Sequence, residues 1–400
     1  MSRQLISRSP DLQRLENEGY NLEIRSGYLL VNDVPYVNSK REVMRGILVS
    51  TLHTAGNKTA EPDTHVAMWV GEYPCDKNGA PVEKIRSGGR SQLTPDLAAE
   101  YSFSSKPTPS GKYTDYHDKM TAYIAIFLSH AKAIDPDATA QTYPVVKATA
   151  EESVFEYLDT ASSRAQITIA TKKLEVARIA IVGVGGTGSY VLDLVAKTPP
   201  KEIHLFDGDA MLSHNAFRAP GAASADELET KPKKVHYLQG IYSKMRRGII
   251  AHPYHIDMKT IGQLQGMDFV FLCIDAGEGK RLIVEALEKF GVTFIDVGMG
   301  VDLVDESLGG ILRVTTSTHQ KRDHFRRRVS LADPGIEDEY DRNIQVADLN
   351  CLNAALAVVK WKKLCGFYLD HEKEYHSTYS IDCNMLTSDD HKDEADRAHA

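Results

Sequence analysis

Residues 178–188 read Arg-Ile-Ala-Ile-Val-Gly-Val-Gly-Gly-Thr-Gly, and this stretch decides the fold of the second half of the chain. Its run Ile179–Val182 is apolar and mostly β-branched, which is typical of a buried parallel strand. Four glycines follow this run: Gly183, Gly185, Gly186 and Gly188. They predict a tight turn into a helix over Ser189–Lys197, which ends before two consecutive prolines.

A second strand is predicted over Glu202–Phe206, with Asp207 at its carboxyl end. The order strand, glycine turn, helix, strand is the context in which a chain binds a nucleotide. The glycines let the backbone approach a phosphate, and the helix N-terminus adds amide donors and partial positive charge. Asp207 is placed to accept hydrogen bonds from ribose hydroxyls. Up to this point an NAD dehydrogenase fits nearly as well.

The residues after Asp207 favour a nucleotide that loses a polyphosphate. Asp209, Asn215 and Arg218 follow in quick succession, Lys233 begins another predicted helix, and Asp275 ends a predicted strand over Asp268–Ile274. Hydride transfer has no leaving group to neutralise. A site that collects cations and a metal-type carboxylate around a nucleotide suits departing pyrophosphate.

These segments resemble the ThiF/MoeB superfamily, which includes the ubiquitin-activating enzymes. The resemblance spans roughly residues 160–370 and rests on motifs that agree in order and spacing. The motifs are Gly183-Val-Gly185-Gly186-Thr-Gly188, Asp207-Gly-Asp209, Asn215-Ala-Phe-Arg218, Lys231-Pro-Lys233 and Cys273-Ile-Asp275. The resemblance implies an α/β chain whose Rossmann-like adenylation domain has a mixed, mainly parallel sheet. The implied activity is ATP-dependent adenylation of the C-terminal glycine of a ubiquitin-like protein, with release of pyrophosphate.

The resemblance also implies roles for individual residues. ATP would be held by Gly183, Gly185, Gly186, Gly188, Asp207, Asp209 and Asn215, and the reaction supported by Arg218, Lys233, Asp275 and Arg164. Asp275 would hold Mg²⁺, and the alternative is an N-cap for a helix over Gly277–Phe290. Lys231 and Lys234 are neighbours of Lys233, which is chosen on the Pro-Lys match alone.

Arg164 lies in Ser163-Arg-Ala-Gln-Ile167, which looks like the Arg-Gln-Ile that precedes the loop in relatives. The resemblance implies a homodimer in which this arginine reaches the neighbouring subunit's nucleotide. An ordinary surface arginine is the alternative. We expect the segment Glu151–Ile167 to be a helix that leads into the nucleotide-binding domain.

Composition and length bound the class of protein. The 400 residues divide into an N-terminal α+β domain over 1–150 for partner recognition, the adenylation domain over 151–375 and an acidic, partly disordered tail over 376–400. The net charge of −8 argues against nucleic acid as a partner. Five scattered cysteines indicate a reduced, cytoplasmic protein without disulfides. No apolar run reaches the length of a membrane span.

We make predictions for three further segments of the chain. Asp115, His117 and Asp118 suggest either a metal site or, as we favour, a solvated helix start. Residues 317–345 are long and polar, and in relatives this position holds a crossover loop over the activated carboxylate. Val346–Leu364 is typical of an amphipathic helix, which contains Cys351, the one cysteine placed near the site. Its apolar neighbours favour core packing, so adenylation should need no cysteine.

The sequence leaves the substrate open. A ubiquitin-like protein, with transfer to a conjugating-enzyme partner, is the first hypothesis. A ThiF-like enzyme that adenylates a small molecule or RNA is the second. A Rossmann NAD-binding protein, or a catalytically silent scaffold, is the third.

Overall fold

A computed structural model describes residues 2–331 and 344–390. The chain folds into two compact units. Unit 1 comprises residues up to 146 together with 163–165, and unit 2 comprises residues 147–162 and those from 166 onward.

Unit 1 is built on a six-stranded antiparallel sheet with the order β1-β2-β3-β6-β10-β7 and two small hairpins, β4-β5 and β8-β9. Its strands are β1 Asn21–Arg25, β2 Tyr28–Val37, β3 Val43–Thr51, β4 Thr54–Ala55, β5 Lys58–Thr59, β6 Val66–Val70, β7 Arg86–Gly88, β8 Ser91–Thr94, β9 Leu97–Ala99 and β10 Tyr101–Ser104. Its helices are α1 Ser2–Arg8, α2 Pro10–Asn17 and α3 Tyr116–Lys132, with a 3-10 turn at Glu83–Ile85.

Helix α3 packs an aromatic face onto this sheet. Its Phe127 ring lies 4.9 Å from the ring of Trp69, centroid to centroid, and both side chains are buried. Burial of each such side chain contributes roughly 1.5–3 kcal/mol. The helix begins at the N-cap Asp115, whose Oδ1 accepts the Asp118 N–H at 2.8 Å. This geometry is a helix start, and residues 2–331 and 344–390 contain no cluster of three or more His, Cys, Asp or Glu side chains that could hold a metal ion.

Unit 2 is built on an eight-stranded mixed sheet with the order β13-β12-β11-β14-β15-β16-β17-β18, whose first five strands are parallel. Its strands are β11 Arg178–Val182, β12 Glu202–Phe206, β13 Ile249–His252, β14 Phe269–Leu272, β15 Thr293–Val304, β16 Ser307–Ser317, β17 His376–Ser380 and β18 Met385–Asp389. The Rossmann-like α/β fold is confirmed.

The helices after α3 begin with two short ones that precede β11. Their bounds are α4 Thr160–Arg164, α5 Thr168–Lys172, α6 Gly186–Ala196, α7 Ser213–Ala216, α8 Ala225–Glu229, α9 Lys234–Tyr242, α10 Glu278–Phe290, α11 Phe325–Arg328 and α12 Ala347–Leu364, with a 3-10 turn at Ile261–Gly266. Apolar residues of α6, α9 and α12 pack in one cluster with the sheet, and those of α10 and α11 pack in another. None of the helices in the described part of the chain is both long and apolar enough to cross a bilayer.

The prediction of a helix over Glu151–Ile167 is wrong. Residues 147–159 are irregular and lie against the segment around Arg247 instead. The Arg247 guanidinium donates to the carbonyl oxygens of Ala148, Ser153 and Phe155, which a helix would use for its own hydrogen bonds. Arg247, which is distant in sequence, thus binds carbonyl oxygens of this segment in place of the hydrogen bonds that a helix would form.

The C-terminal boundary also differs from the expectation of a tail over 376–400. Strands β17 and β18 extend the sheet as antiparallel edge strands, so residues 376–390 are ordered structure. Their side chains are mostly polar and half-exposed, and they therefore lack the apolar alternation that marks a strand in a sequence. Residues 391–400 of that tail, and 332–343 of the expected crossover loop, lie outside the described residues.

Candidate nucleotide site

A cavity of about 460 Å³ lies at the carboxyl ends of the parallel strands of unit 2. Strands β12 and β14 flank β11 on opposite sides, so the chain reverses direction there and leaves a crevice. The lining includes Gly183, Gly185, Gly186, Asp207, Asp209, Arg218, Lys234, Asp275, Lys280, Gly298, Gln345 and Asn353. Seven of the eleven sequence-predicted site residues are among them, and the other four, Arg164, Gly188, Asn215 and Lys233, are not.

The glycine loop between β11 and α6 is held by close backbone contacts. Gly183 has φ of +82°, and a Cβ there would lie 2.5 Å from the Cys273 carbonyl oxygen. A Cβ on Gly188 would collide with the carbonyl of Gly183, and one on Gly186 would collide with the Asn350 side chain. Gly185 meets nothing within 4 Å and faces open space. The loop therefore presents its backbone to the cavity.

Asp207 fixes this loop from the end of β12. Its Oδ2 accepts the Val184 N–H at 2.9 Å, and its Oδ1 accepts the Asp209 N–H at 2.8 Å. The carboxylate is buried but still lines the cavity. Each oxygen retains a second lone pair, so the group can also accept from a ligand hydroxyl.

Lys234, and not Lys233, lies in the cavity wall. Lys234 is buried at the start of α9, and its Nζ donates to Asp209 Oδ2 at 2.8 Å. This hydrogen bond is the main cause that lowers the pKa of the Asp209 carboxyl. Lys233 is the exposed N-cap of the same helix, its Nζ donates to the Gly208 carbonyl, and it is absent from the lining. The structure thus does not bring Lys233 together with the other predicted residues.

Arg218 lines the cavity, whereas Asn215 sits behind it. Asn215 Oδ1 accepts the Leu212 N–H at 3.0 Å, and its carbonyl accepts the Arg218 N–H at 3.1 Å. Asn215 therefore shapes the turn that carries Arg218 and does not reach the cavity itself. Within residues 2–331 and 344–390, no carboxylate pairs with Arg218, and its buried Nε has no hydrogen-bond partner. The guanidinium charge is available to an anionic ligand.

Asp275 is exposed to the cavity just beyond β14. Helix α10 begins at Glu278 with Gly277 as its N-cap residue, two residues after Asp275. A carboxylate beside cations and a glycine loop fits Mg²⁺, which usually takes one or two carboxylates together with substrate phosphates.

Sequence reasoning missed three residues of the cavity wall. Lys280 of α10 and Asn353 of α12 line this cavity, and Arg313 of β16 lines an adjoining cavity that shares Lys280. A signal existed for a related residue, because Asp296 interrupts the apolar strand Phe294-Ile-Asp-Val297 and a buried charge needs a partner. Its partner Arg313 could be found only from the register of β15 with β16, and its partner Lys280 only from the contact of α10 with β15.

Two further predicted residues lie away from the cavity. Arg164 is exposed and belongs to unit 1, where its guanidinium lies 5.7 Å from the centroid of the Tyr143 ring. Cys351 is exposed on the face of α12 opposite Asn350 and Asn353, so the expectation of core packing is wrong. Burial raises the pKa of the Cys365 thiol to about 11 and also raises that of Cys273. Of the five cysteines, Cys273 alone is in the cavity lining, and it is partly exposed.

Comparison with known proteins agrees with this geometry. The sequence model of a domain of unknown function (DUF6791) matches residues 10–160, and that of the ThiF family matches residues 161–330. Ubiquitin-like modifier-activating enzyme 5 of Oryza sativa subsp. japonica is 23% identical over 142 residues, which are 32% of this chain and 33% of that protein. The chain thus spans about a third of the length of this curated relative.

Two solved structures are similar to part of this chain at low sequence identity. E. coli MccB has a TM-score of 0.44 and 17% identity, covering 58% of this chain and 67% of MccB. PaaA has a TM-score of 0.41 and 14% identity, covering 56% of this chain and 75% of PaaA. With the family match and the glycine-loop geometry, residues 161–330 of this chain are a ThiF-family domain.

Proposed function

We propose that unit 2 is an ATP-dependent adenylyltransferase that activates the C-terminal carboxylate of a ubiquitin-like protein. The observation that carries the proposal is the placement of Arg218, Lys234 and Asp275 around one cavity with the glycine loop. Two cations and a metal-type carboxylate at a nucleotide loop suit a reaction in which a polyphosphate departs.

The reaction converts a poor acyl donor into a good one. One oxygen of the acceptor carboxylate attacks the α-phosphorus of ATP, and the bond from that phosphorus to the β-phosphate's bridging oxygen breaks. The products are an acyl-adenylate and pyrophosphate, which takes the bonding electron pair. The protein's part is positioning and charge stabilisation.

The chain's own residues divide this work. The backbone of Gly183–Gly188 and the N-terminus of α6 bind phosphate oxygens, and Asp207 accepts from the ribose. Arg218 and Lys234 neutralise the phosphate charge, with Asp209 holding Lys234 in place. Lys234 takes the role that we predicted for Lys233, because Lys234 lines the cavity and Lys233 does not. Asp275 would hold Mg²⁺, which would supply charge compensation at the leaving group.

The ubiquitin-like acceptor is the finer part of the proposal. The similarity to ubiquitin-like modifier-activating enzyme 5 supports it over one stretch of the chain. Transfer to a conjugating enzyme, a cytoplasmic homodimer in which Arg164 completes the neighbour's site, and partner recognition by residues 1–150 belong to the same proposal. The exposed Cys351 lies outside the cavity lining, which supports adenylation without a cysteine.

Exchange of labelled pyrophosphate into ATP tests the proposal. The full-length protein is incubated with ubiquitin-fold proteins that end in a free glycine carboxylate, and each is also supplied without its last residue. We expect exchange that depends on the intact terminus. ATP binding without exchange for any member would assign a different acceptor, and tight NADH binding without exchange would select the oxidoreductase alternative.

A further inference from the structure

A chain of hydrogen bonds starts on β12 and β13, at one edge of the unit 2 sheet. His204 Nε2 lies 3.2 Å from Glu202 Oε2, and His204 Nδ1 lies 3.0 Å from His252 Nε2. His252 Nδ1 lies 3.0 Å from the Tyr254 hydroxyl, which donates to Gln263 Oε1 at 2.7 Å. We call these five side chains the histidine relay. It joins two imidazoles that the proposed function does not use.

The histidine relay adjoins the nucleotide cavity through Phe206. This side chain lines the cavity, and its ring centroid lies 4.1 Å from that of His252, with the two planes 5° apart. The His252 carbonyl also accepts the N–H of Asp207, which we propose as the ribose ligand, at 3.3 Å. The glycine loop follows β11, which lies two strands from β13, so bound phosphates would be about 10 Å from His252. A charge on the relay would therefore interact with the nucleotide, since partly buried charges at this separation are incompletely screened.

The relay has two complete proton arrangements, which differ by one proton. It consists of four links, and each link needs one proton between its two heavy atoms. In the neutral arrangement both imidazoles and the Tyr254 hydroxyl donate towards Glu202, and the Gln263 amide N–H donates to the hydroxyl oxygen. In the charged arrangement His204 carries two protons, and the three links beyond it are reversed. The structure has Gln263 Oε1 facing the hydroxyl, as the charged arrangement requires, and a half-turn of that amide gives the neutral one.

The groups around the relay act on an added proton in opposite directions. The charged groups that face it are Glu202 of β12 and Arg178 of β11, whose Nε lies 3.1 Å from Glu202 Oε2. The segment after β13 and the 3-10 turn Ile261–Gly266 contribute a hydroxyl and an amide. Burial, and then the neighbouring His204, lower the pKa of His252, so the neutral arrangement is favoured in the free protein at neutral pH. The face of the stacked phenylalanine ring attracts a cation, and nucleotide phosphates would add further negative charge that favours the charged arrangement.

We propose that the histidine relay takes up one proton when ATP binds in the adjoining cavity, so that the affinity for ATP increases as the pH falls. This inference rests on the proposed function, because it requires ATP in that cavity. Solvent supplies the proton to the Tyr254 oxygen, next to the exposed Gln263. The Tyr254 proton passes to His252 Nδ1, the His252 Nε2 proton passes to His204 Nδ1, and the amide turns. A group whose pKa rises on binding is protonated in the complex first, which strengthens binding on the acidic side.

A purely structural role is the competing explanation, because the same hydrogen bonds also join β12, β13 and the 3-10 turn. A structural chain would keep the neutral arrangement whether or not a nucleotide is bound. It therefore predicts no proton uptake on binding. The relay predicts an uptake that disappears when either imidazole is replaced by a neutral amide, because an amide keeps a donor and an acceptor but does not titrate.

The test is a calorimetric titration of a non-hydrolysable ATP analogue with Mg²⁺ into the full-length protein, in steps between about pH 8.5 and 5.5. Over this range we expect the affinity of the wild type to rise at least about threefold more than that of His204→Gln or His252→Gln. Comparing proteins cancels the titration of the analogue itself. At the alkaline end both variants should match the wild type. His236→Gln, an exposed position on α9 outside the cavity lining, is the control and should follow the wild type.

The outcomes separate the two proposals. An equal pH dependence in the wild type and in folded His204→Gln and His252→Gln would overturn the relay and leave the proposed function standing. If the variants do not fold, nitrogen NMR of the imidazoles in the wild type decides, because both must stay neutral in the complex if the relay is only structural. Relay-dependent proton uptake, in a protein that supports no exchange with any ubiquitin-fold protein, would support the relay and refute the proposed function. A wild type that does not bind the analogue would refute both.

Discussion

The two units treat their buried polar groups differently. In unit 1, Lys119 is fully buried and donates to Ser50 Oγ and to the Thr64 carbonyl, each at 2.8 Å. In unit 2, Arg218 Nε and Asn353 Oδ1 are buried beside the cavity without a hydrogen-bond partner. Among the described residues, the buried side-chain polar atoms that lack a partner all belong to unit 2.

At Arg218 and Asn353, which line the cavity, this difference separates polar groups that serve a site from those that stabilise a fold. An unpaired buried polar group costs stability, so it persists where something other than folding requires it. In the described part of unit 1, every buried side-chain polar atom has a hydrogen-bond partner. The comparison predicts that changes at the cavity of unit 2 impair ligand binding and that changes inside unit 1 affect stability alone.

The largest effect is expected from Gly188→Ala. The added methyl group would collide with the carbonyl of Gly183 and force the glycine loop open. We expect ATP affinity to fall by at least about 100-fold, because the loop backbone and the start of α6 bind the phosphates. Gly240→Ala in α9, where a Cβ meets nothing within 4 Å, is the matched control and should bind like the wild type. Equal affinities in both variants would contradict the loop's role.

Arg218→Ala should come next, with exchange reduced by about 10²–10³, the range for loss of one preorganised donor. The fold should survive, because Arg218 forms no ion pair with any residue of the described part of the chain. Thermal unfolding checks this, and Arg281→Ala provides the control for loss of a nearby arginine. A wild-type exchange rate in Arg218→Ala would remove this residue from the site.

Lys234→Met and Lys233→Met form a matched pair one residue apart. Lys234 lines the cavity. Its replacement by Met should lower the affinity for ATP by about 10- to 100-fold, as expected for loss of a hydrogen bond to a charged group. Lys233→Met should change the affinity less than about threefold, because its side chain only meets the Gly208 carbonyl. Calorimetric titration with ATP measures both affinities. A larger loss of affinity in Lys233→Met than in Lys234→Met would show that Lys233, and not Lys234, is the site residue.

The smallest effects concern pH, and they distinguish the units directly. Burial lowers the pKa of Lys119 in unit 1 to about 8, and burial with Arg328 and Arg313 lowers that of His376 in unit 2 to about 4. Each unfolded side chain keeps its ordinary pKa and so binds more protons than the folded one inside its window. Stability should therefore rise with pH from about 8 to 10.5 through Lys119, and from about 4 to 6.5 through His376.

Chemical denaturation across pH checks both windows. Lys119→Met should flatten the alkaline rise only, and His376→Gln the acidic rise only. Thr315 Oγ1 accepts from Arg313 and lies 3.0 Å from His376 Nδ1, in a hydrogen bond whose direction depends on the imidazole tautomer. An acidic slope that is unchanged in His376→Gln would show that this imidazole is protonated in the folded protein.

The sequence predicted the parts of the site that depend on local pattern. The glycine loop, Asp207 and Asp275 lie where the strand ends place them, because the carboxyl ends of parallel strands share one edge of the sheet. The choice between Lys233 and Lys234 depended on which residue is the N-cap of α9, because one residue along a helix turns the side-chain direction by about 100°.

The remaining differences arise from contacts between distant segments. The meeting of Lys280, Asp296 and Arg313 requires the register of β15 with β16, which pairs Asp296 with Thr315 and not with Arg313. The irregular segment before α4 depends on Arg247, and β17 depends on the free edge of β16. No local periodicity encodes these three arrangements.

We propose that the cavity of unit 2 binds ATP together with magnesium at Asp275. The most direct test is a calorimetric titration of ATP into the full-length protein, with and without Mg²⁺, for the wild type and Asp275→Asn. We predict that Mg²⁺ strengthens ATP binding to the wild type, and that this dependence is lost in Asp275→Asn while thermal unfolding is unchanged. Failure of the wild type to bind ATP, or an undiminished magnesium dependence in folded Asp275→Asn, would contradict the claim.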